Sequence, residues 1–212
     1  MKKYELTGEC KVYFGVTLRR IKSLIDFSDV KKGELGGFIE KEENLSHGGD
    51  AWVYGNARVS GNARVSGDAW VYGNARVSGN ARVYDDARVY GNARVSGNAR
   101  VSGNARVYGD ARVSSNARVS GNARVYDDAR VSGDARVSGN ADYVLIGRIG
   151  SRFGFTTFFR NKNNEIYVSC GCFLGTLAKF RKKVKETHGT DTKYAKVYQA
   201  AADLAEMQIL NK

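Results

Sequence analysis

Few side chains in this 212-residue chain are suited to proton transfer near neutral pH, and their positions are informative. Histidine, the usual general base, occurs only at His47 and His188. Cys170 and Cys172 lie two apart, so on a strand both would occupy one face, and folding could bring His188 near them. A zinc site would need a fourth ligand and close paired spacings that the surrounding sequence lacks, so neither metal nor cofactor is expected. The run Gly147-Arg148-Ile149-Gly150-Ser151-Arg152 could turn its N–H groups onto an anion. It lacks the spacing of a phosphate-binding loop and reads first as a glycine-rich link. With Arg148, Ser151 and Arg152, the basic residues Lys179, Arg181, Lys182, Lys183 and Lys185 on one predicted helix make up the anion-binding candidates. A solvated helix face is the alternative account of that helix.

The element that positions everything else is a repeat. Ala recurs every six residues from Ala51 to Ala141 and Val every six from Val53 to Val137, without an insertion. Ala and Val flank one outward residue, the period-two pattern of a short strand with one buried face. Gly with Asn or Asp then turns the corner, because these types accept a positive φ. Tyr54, Tyr72, Tyr90, Tyr108 and Tyr126 are each eighteen apart, as are Trp52 and Trp70; Tyr84 alone among the repeat's tyrosines falls outside the column. Three six-residue sides per circuit therefore stack like on like. The expected product is a triangular parallel β-helix of about five coils, roughly 24 Å long at the usual strand spacing.

The unit Val-Ser-Gly-Asn-Ala-Arg resembles the hexapeptide-repeat, left-handed β-helix family, and that resemblance implies the left hand. The segments Ile25-Asp26-Phe27-Ser28-Asp29-Val30, Gly36-Gly37-Phe38-Ile39 and Asn44-Leu45-Ser46 resemble the start of uncharacterised bacterial and bacteriophage β-helix proteins. Ser169 to Phe173, Gly175-Thr176 and Thr187-His188-Gly189 are similar to a tail of some phage and Firmicutes members. Many members of the wider family are acyltransferases with a histidine base near loops that project from the coils. Here fifteen uninterrupted units project no loop and contain no histidine, so no catalytic residue is expected. Homotrimers are frequent in the family, which makes a homo-oligomer, trimer or dimer, the first association to test.

The flanks must at least cap the rod, since its ends would otherwise present unpaired N–H and C=O groups. The expected domains are a β cap over residues 1–50, the β-helix over 51–142 and a small ββαα domain over 143–212. In the cap, strands are expected near Lys11–Phe14 and Thr17–Phe27. In the tail, a strand is expected at Tyr143–Ile146 and a hairpin over 155–170, followed by two helices. Leu177, Phe180 and Val184 form the apolar stripe of the first helix, and Tyr194, Val197, Tyr198, Ala201 and Ala205 that of the second.

The formal charge is +12. Basic and acidic residues number nine and nine in the cap, thirteen and eight in the repeat, and twelve and five in the tail. An acidic mimic of nucleic acid is thereby excluded. No apolar run is long enough to span a membrane, and three cysteines without framework spacing fit a reducing, cytoplasmic setting.

The candidate interaction face carries Trp52, Tyr54, Trp70 and Tyr72, continued by Arg88, Tyr90, Arg106, Tyr108, Arg124 and Tyr126. Aromatic and Arg side chains dominate interface hot spots, while stacking within the ladder is the self-contained alternative. The tryptophans, taken as exposed, favour an interface. The chain is thus expected to be a non-enzymatic scaffold for a protein partner, for which the phage-like flanks point to a host defence component. Polyanion binding, to nucleic acid or nucleotide, and residual acyl transfer are the two alternatives.

Overall fold

The structure, a computed structural model, describes residues 1–210. Positions 211 and 212 of the expected C-terminal domain lie outside the described residues. The chain forms β1 (Tyr4–Tyr13), β2 (Val16–Ser23) and β3 (Leu35–Ile39), then fifteen two-residue strands, one per hexad, from β4 (Trp52–Val53) to β18 (Arg136–Val137). Four longer strands follow, β19 (Tyr143–Ile149), β20 (Gly154–Arg160), β21 (Ile166–Cys170) and β22 (Phe173–Thr176), and then helices α1 (Leu177–His188) and α2 (Lys193–Leu210). No helix among the described residues is long and apolar enough to cross a membrane.

The hexads stack as the eighteen-residue period requires. Val89 pairs with Val71 on one side and Val107 on the other, all in parallel register. Three parallel sheets result, one of which continues through β3, β2 and β1. The Ala residues from Ala51 to Ala135 and the Val residues from Val53 to Val137 are at most 1% exposed and fill the narrow interior. At the corners the backbone is left-handed, as at Gly79 (φ 69). A Cβ there would come 3.0 Å from the Gly97 nitrogen of the next coil, so shape as well as φ favours glycine. Asp85, Ser115 and Asp127 nevertheless hold φ of 57, 58 and 51 at equivalent corners.

Every coil donates its N–H groups toward the C-terminal end: Trp52 to the Ala69 carbonyl at 3.0 Å, and Arg94 to that of Ala111 at 2.9 Å. The first coil is therefore left with free carbonyls and the last with free N–H groups. The flanks supply the matching chemistry, because a buried unpaired backbone group is costly. At the N-terminal end the donors are Lys3 Nζ, to the Gly49 and Ala51 carbonyls at 2.9 and 2.8 Å, and Asn44 Nδ2, to those of Gly61 and Ala63 at 3.0 and 2.8 Å. The Phe38 and Glu40 amides of the β3 segment do the same for Ala57 and Val59. At the C-terminal end the groups are acceptors. Asp142 Oδ2 takes the Ser138 and Gly139 N–H groups at 2.8 and 2.9 Å, Asn140 Oδ1 that of Arg124 at 2.9 Å, and Thr157 Oγ1 that of Arg130 at 2.9 Å.

In the cap, β1 is longer than the expected run, β2 stops at Ser23 short of Phe27, and β3 was missed by the expected runs. The tail holds a four-stranded antiparallel sheet in the order β19-β20-β21-β22 rather than a lone strand beside a hairpin. On β20 the neighbours Phe159 and Phe158 point opposite ways, the first into the solenoid core and the second into the core shared with the helices. The sheet is thus the layer between the rod and the helices. Leu177, Phe180 and Val184 are buried as expected, whereas Tyr194 is 38% exposed; Ala195, Ala202 and Ile209 complete the buried stripe of α2. The Gly147–Arg152 run is not the link from rod to tail. It ends β19 and turns into β20, while the short 3-10 turn at Asn140–Asp142 makes the connection.

Candidate docking surfaces

The first face of the solenoid carries Trp52, Trp70, Arg88, Arg106 and Arg124 in one column and the five tyrosines at its corner. Tyr72 and Tyr90 stack with ring centroids 4.7 Å apart, Tyr90 and Tyr108 at 4.9 Å, and Tyr108 and Tyr126 at 5.5 Å, with interplanar angles of 3°, 2° and 17°. Tyr126 ends the column against the edge of Tyr143 at 6.3 Å. Both faces of Tyr90 and Tyr108 are covered inside the ladder, leaving their edges and hydroxyls outward. Burial pushes the Tyr54 hydroxyl up to about 12 and also raises Tyr72 and Tyr108.

Trp52 corrects the sequence expectation. It is 0% exposed, covered by Tyr4 at 6.2 Å and Phe27 at 5.4 Å, because the N-terminal segment folds back over the first coil. Its Nε1 has no hydrogen-bond partner among the described residues. Trp70 is half-buried between Tyr54 at 5.2 Å and the Arg88 guanidinium at 5.7 Å. Trp52 is therefore part of the cap junction, and the displayed chemistry of this face is the half-buried Trp70 and tyrosine edges with Arg88, Arg106 and Arg124.

The second and third faces carry five arginines each, Arg58 to Arg130 and Arg64 to Arg136 at eighteen-residue steps. Residues 51–142 contain thirteen arginines and no lysine. None of the thirteen forms an ion pair among the described residues. Between the second and third faces runs a ladder the sequence reading missed. Asn62 donates to Asn80 at 3.3 Å, Asn80 to Asn98 at 3.0 Å, Asn98 to Asn116 at 3.1 Å, and Asn116 to Asp134 at 3.2 Å. Lys41 donates into its first member at 3.0 Å, and Lys162 pairs with Asp134 at 2.9 Å. The recurrence of Asn at positions 62, 80, 98 and 116 was its signal.

A groove of about 680 Å³ lies where the cap meets the third face, lined by Arg64, Arg82, Arg100, Tyr84, His47 and Glu42 among others. His47 stacks on Tyr4 with centroids 4.4 Å apart. Its Nδ1 accepts the Lys3 N–H at 3.3 Å, and its Nε2 faces Glu42 at 3.9 Å. Both ring nitrogens are thus turned to the protein. His188 lies against Tyr198 at 5.7 Å and Tyr194 at 5.9 Å.

In the tail, Arg181 is bound to Asp203 at 2.7 Å and Glu206 at 2.8 Å, and Lys182 and Lys183 reach Glu186 at 4.0 and 3.8 Å. The helix is less bare a cation than its sequence implies, with Lys179 and Lys185 remaining exposed. Arg148, Ser151 and Arg152 are exposed around the β19–β20 hairpin turn, where Gly150 packs against the Tyr198 ring. Cys170 ends β21 beside Thr156 Oγ1 at 3.2 Å, and Cys172 sits in the turn that follows, so the two do not share a strand face.

Comparison with known proteins agrees with this architecture. The family model described as YdcK Beta solenoid repeat matches in eleven overlapping segments, from 51–67 to 129–141. A protein of Escherichia coli (strain K12) named uncharacterized acetyltransferase YdcK is 35% identical over 82 residues, covering 32% of this chain and 25% of that protein. The chain thus spans about a quarter of the length of the curated relative it matches. Matching segments, inward Ala and Val, and eighteen-residue register together identify the chain as a repeat β-helix protein whose residues 51–141 match the YdcK β-solenoid repeat model.

Proposed function

We propose that the protein is a non-catalytic binding scaffold whose first solenoid face seats a protein partner, with a second copy of this chain the first partner to test. The observation that carries this reading is the stacked column Tyr72-Tyr90-Tyr108-Tyr126 beside Arg88, Arg106 and Arg124, which form no ion pair among the described residues. The column is ordered by its own stacking before a partner arrives, so docking loses little side-chain entropy. Tyrosine edges and guanidiniums are also the types that concentrate binding energy. Sedimentation of the full chain, with capture from extracts of its natural host, tests this. Arg106→Ala with Tyr108→Ala is expected to weaken assembly or capture at least tenfold while leaving the β-rich circular dichroism intact. Unchanged assembly and unchanged capture would remove the reading.

Acyl transfer is a second reading, prompted by the name of the Escherichia coli relative and by the groove beside His47. The geometry supports it less, since His47 Nδ1 already accepts an N–H and its Nε2 faces Glu42. A general base must present a free lone pair to the substrate. Turnover with a panel of acyl donors that His47→Gln abolishes would replace the scaffold reading.

A further inference from the structure

The second and third faces, with the asparagine ladder between them, form a surface unlike the first. From Arg76 to Arg118 the two arginine columns and the corner between them carry only Arg, Ser, Gly and Asn, while Tyr84, Asp85 and Asp86 lie at the far edge of the third face and Asp110 at that of the second. No acidic residue interrupts this strip before Asp134, which Lys162 already pairs. Protein interfaces need a desolvated core of apolar or aromatic side chains, and this strip has none to offer. It offers guanidiniums that form no ion pair among the described residues, flanked by hydroxyl and amide groups. Arginine is the side chain suited to bidentate phosphate contacts, and the strip uses it to the exclusion of lysine, which the flanks use freely.

We propose that this strip binds duplex nucleic acid through its phosphate backbone, without reading sequence, centred on Arg94, Arg100, Arg112 and Arg118. These four are in register on adjacent coils of the two faces, Arg94 pairing with Arg112 and Arg100 with Arg118. Three successive guanidiniums of a column span roughly 10 Å at the strand spacing, over which one strand of a duplex presents about three phosphates. Single strands are usually held on exposed aromatic faces, and the stacked tyrosines, which lie on the first face and not on this strip, cover most of their faces with one another. Backbone contact of this kind positions a duplex but carries no base readout.

Fluorescence anisotropy of the full chain with a duplex of about 20 base pairs, from about 50 to 200 mM salt, tests the proposal. Binding is expected to weaken steeply with salt and to be the same for two unrelated sequences. Replacing Arg94, Arg100, Arg112 and Arg118 together by Ser is expected to lower affinity more than tenfold and to flatten the log–log salt slope by about 3 to 4. The same four changed to Lys keep the charge and most of the slope, and guard against loss of fold in the Ser set, which circular dichroism monitors. Lys182→Ser with Lys183→Ser, in the tail, is expected to leave binding unchanged. No duplex binding at low salt, a loss confined to the tail variant, tighter binding of a single strand, or equal binding of polyglutamate would each overturn it, the last in favour of an acidic protein partner.

Discussion

At the N-terminal mouth of the solenoid, the Lys3 ammonium is buried with the Gly49 and Ala51 carbonyls as acceptors and the Phe27 ring 4.8 Å away. Burial lowers its pKa to about 8 from the ordinary 10.5, against the opposing pull of Asp50 and Asp68. Between those two values the unfolded chain binds more protons than the folded one, so stability rises with pH across that window. Tyrosines act with the opposite sign. Burial raises Tyr4, Tyr143, Tyr54 and Tyr198 above the ordinary 10.0, so the unfolded chain loses its protons first and stability falls above that pH. Thermal unfolding from pH 7 to 11 is expected to peak near pH 10, and Lys3→Met to flatten the rising limb; an unchanged limb would show that Lys3 does not titrate there. Ser115, at φ 58 where most corners carry glycine, gives a second test. Ser115→Gly is expected to stabilise by about 0.5–1 kcal/mol in denaturant unfolding, the relief of left-handed strain exceeding the entropy cost of glycine. At this scale Trp52 was misread because its hexad is identical in pattern to that of Trp70. Only the returning cap, with Tyr4 and Phe27, distinguishes the two.

Among the elements, the asparagine ladder and the two end caps hold the coils in line. Asn98→Ala removes two amide bonds at an exposed corner and is expected to cost about 1 kcal/mol. Asp142 is a heavier member. It is 2% exposed, accepts two backbone N–H groups of the last coil and pairs with Arg160 at 3.2 Å. Asp142→Ala is expected to destabilise by about 3 kcal/mol or more, since it orphans buried donors and a partly buried guanidinium. Hydrogen exchange would show protection lost first in the coils near Val137 and retained near Val59; uniform loss would contradict the capping role. The strands and corners of the repeat were legible because each hexad carries its own period-two pattern and turn residues. β22 was not, because Phe173-Leu174-Gly175-Thr176 is too short and glycine-broken to declare a strand, and only pairing with β21 makes it one.

For the molecule as a whole, stability should follow whole circuits rather than residue number. Deleting residues 93–110 removes eighteen positions and restores every column, so the shortened chain is expected to fold with its tyrosines still stacked. Deleting 93–98 also keeps inward Ala and Val in phase but turns Tyr108 onto a different face from Tyr90, which now lie 4.9 Å apart. That variant is expected to lose about 1 kcal/mol more than the loss of length accounts for, through the severed stack. Near-ultraviolet circular dichroism reads the stack directly. Equal stability and equal spectra for the two deletions would mean that the column contributes nothing.

By itself the sequence determined the three-sided tube, its eighteen-residue circuit and the alignment of like residues, because these depend on local periodicity repeated fifteen times. Tertiary structure decided what the ends do and which side chains stay exposed. The direction of the N–H groups along the rod dictates donors at one mouth and acceptors at the other, and those groups come from segments far away in the chain: Lys3 and Asn44 at one end, Asp142 and Thr157 at the other. The same long-range packing covers Trp52, turns both His47 nitrogens to the protein and pairs Arg181, while no solenoid arginine forms an ion pair among the described residues. Burial and pairing depend on segments that meet only after folding, and no hexad carries that information.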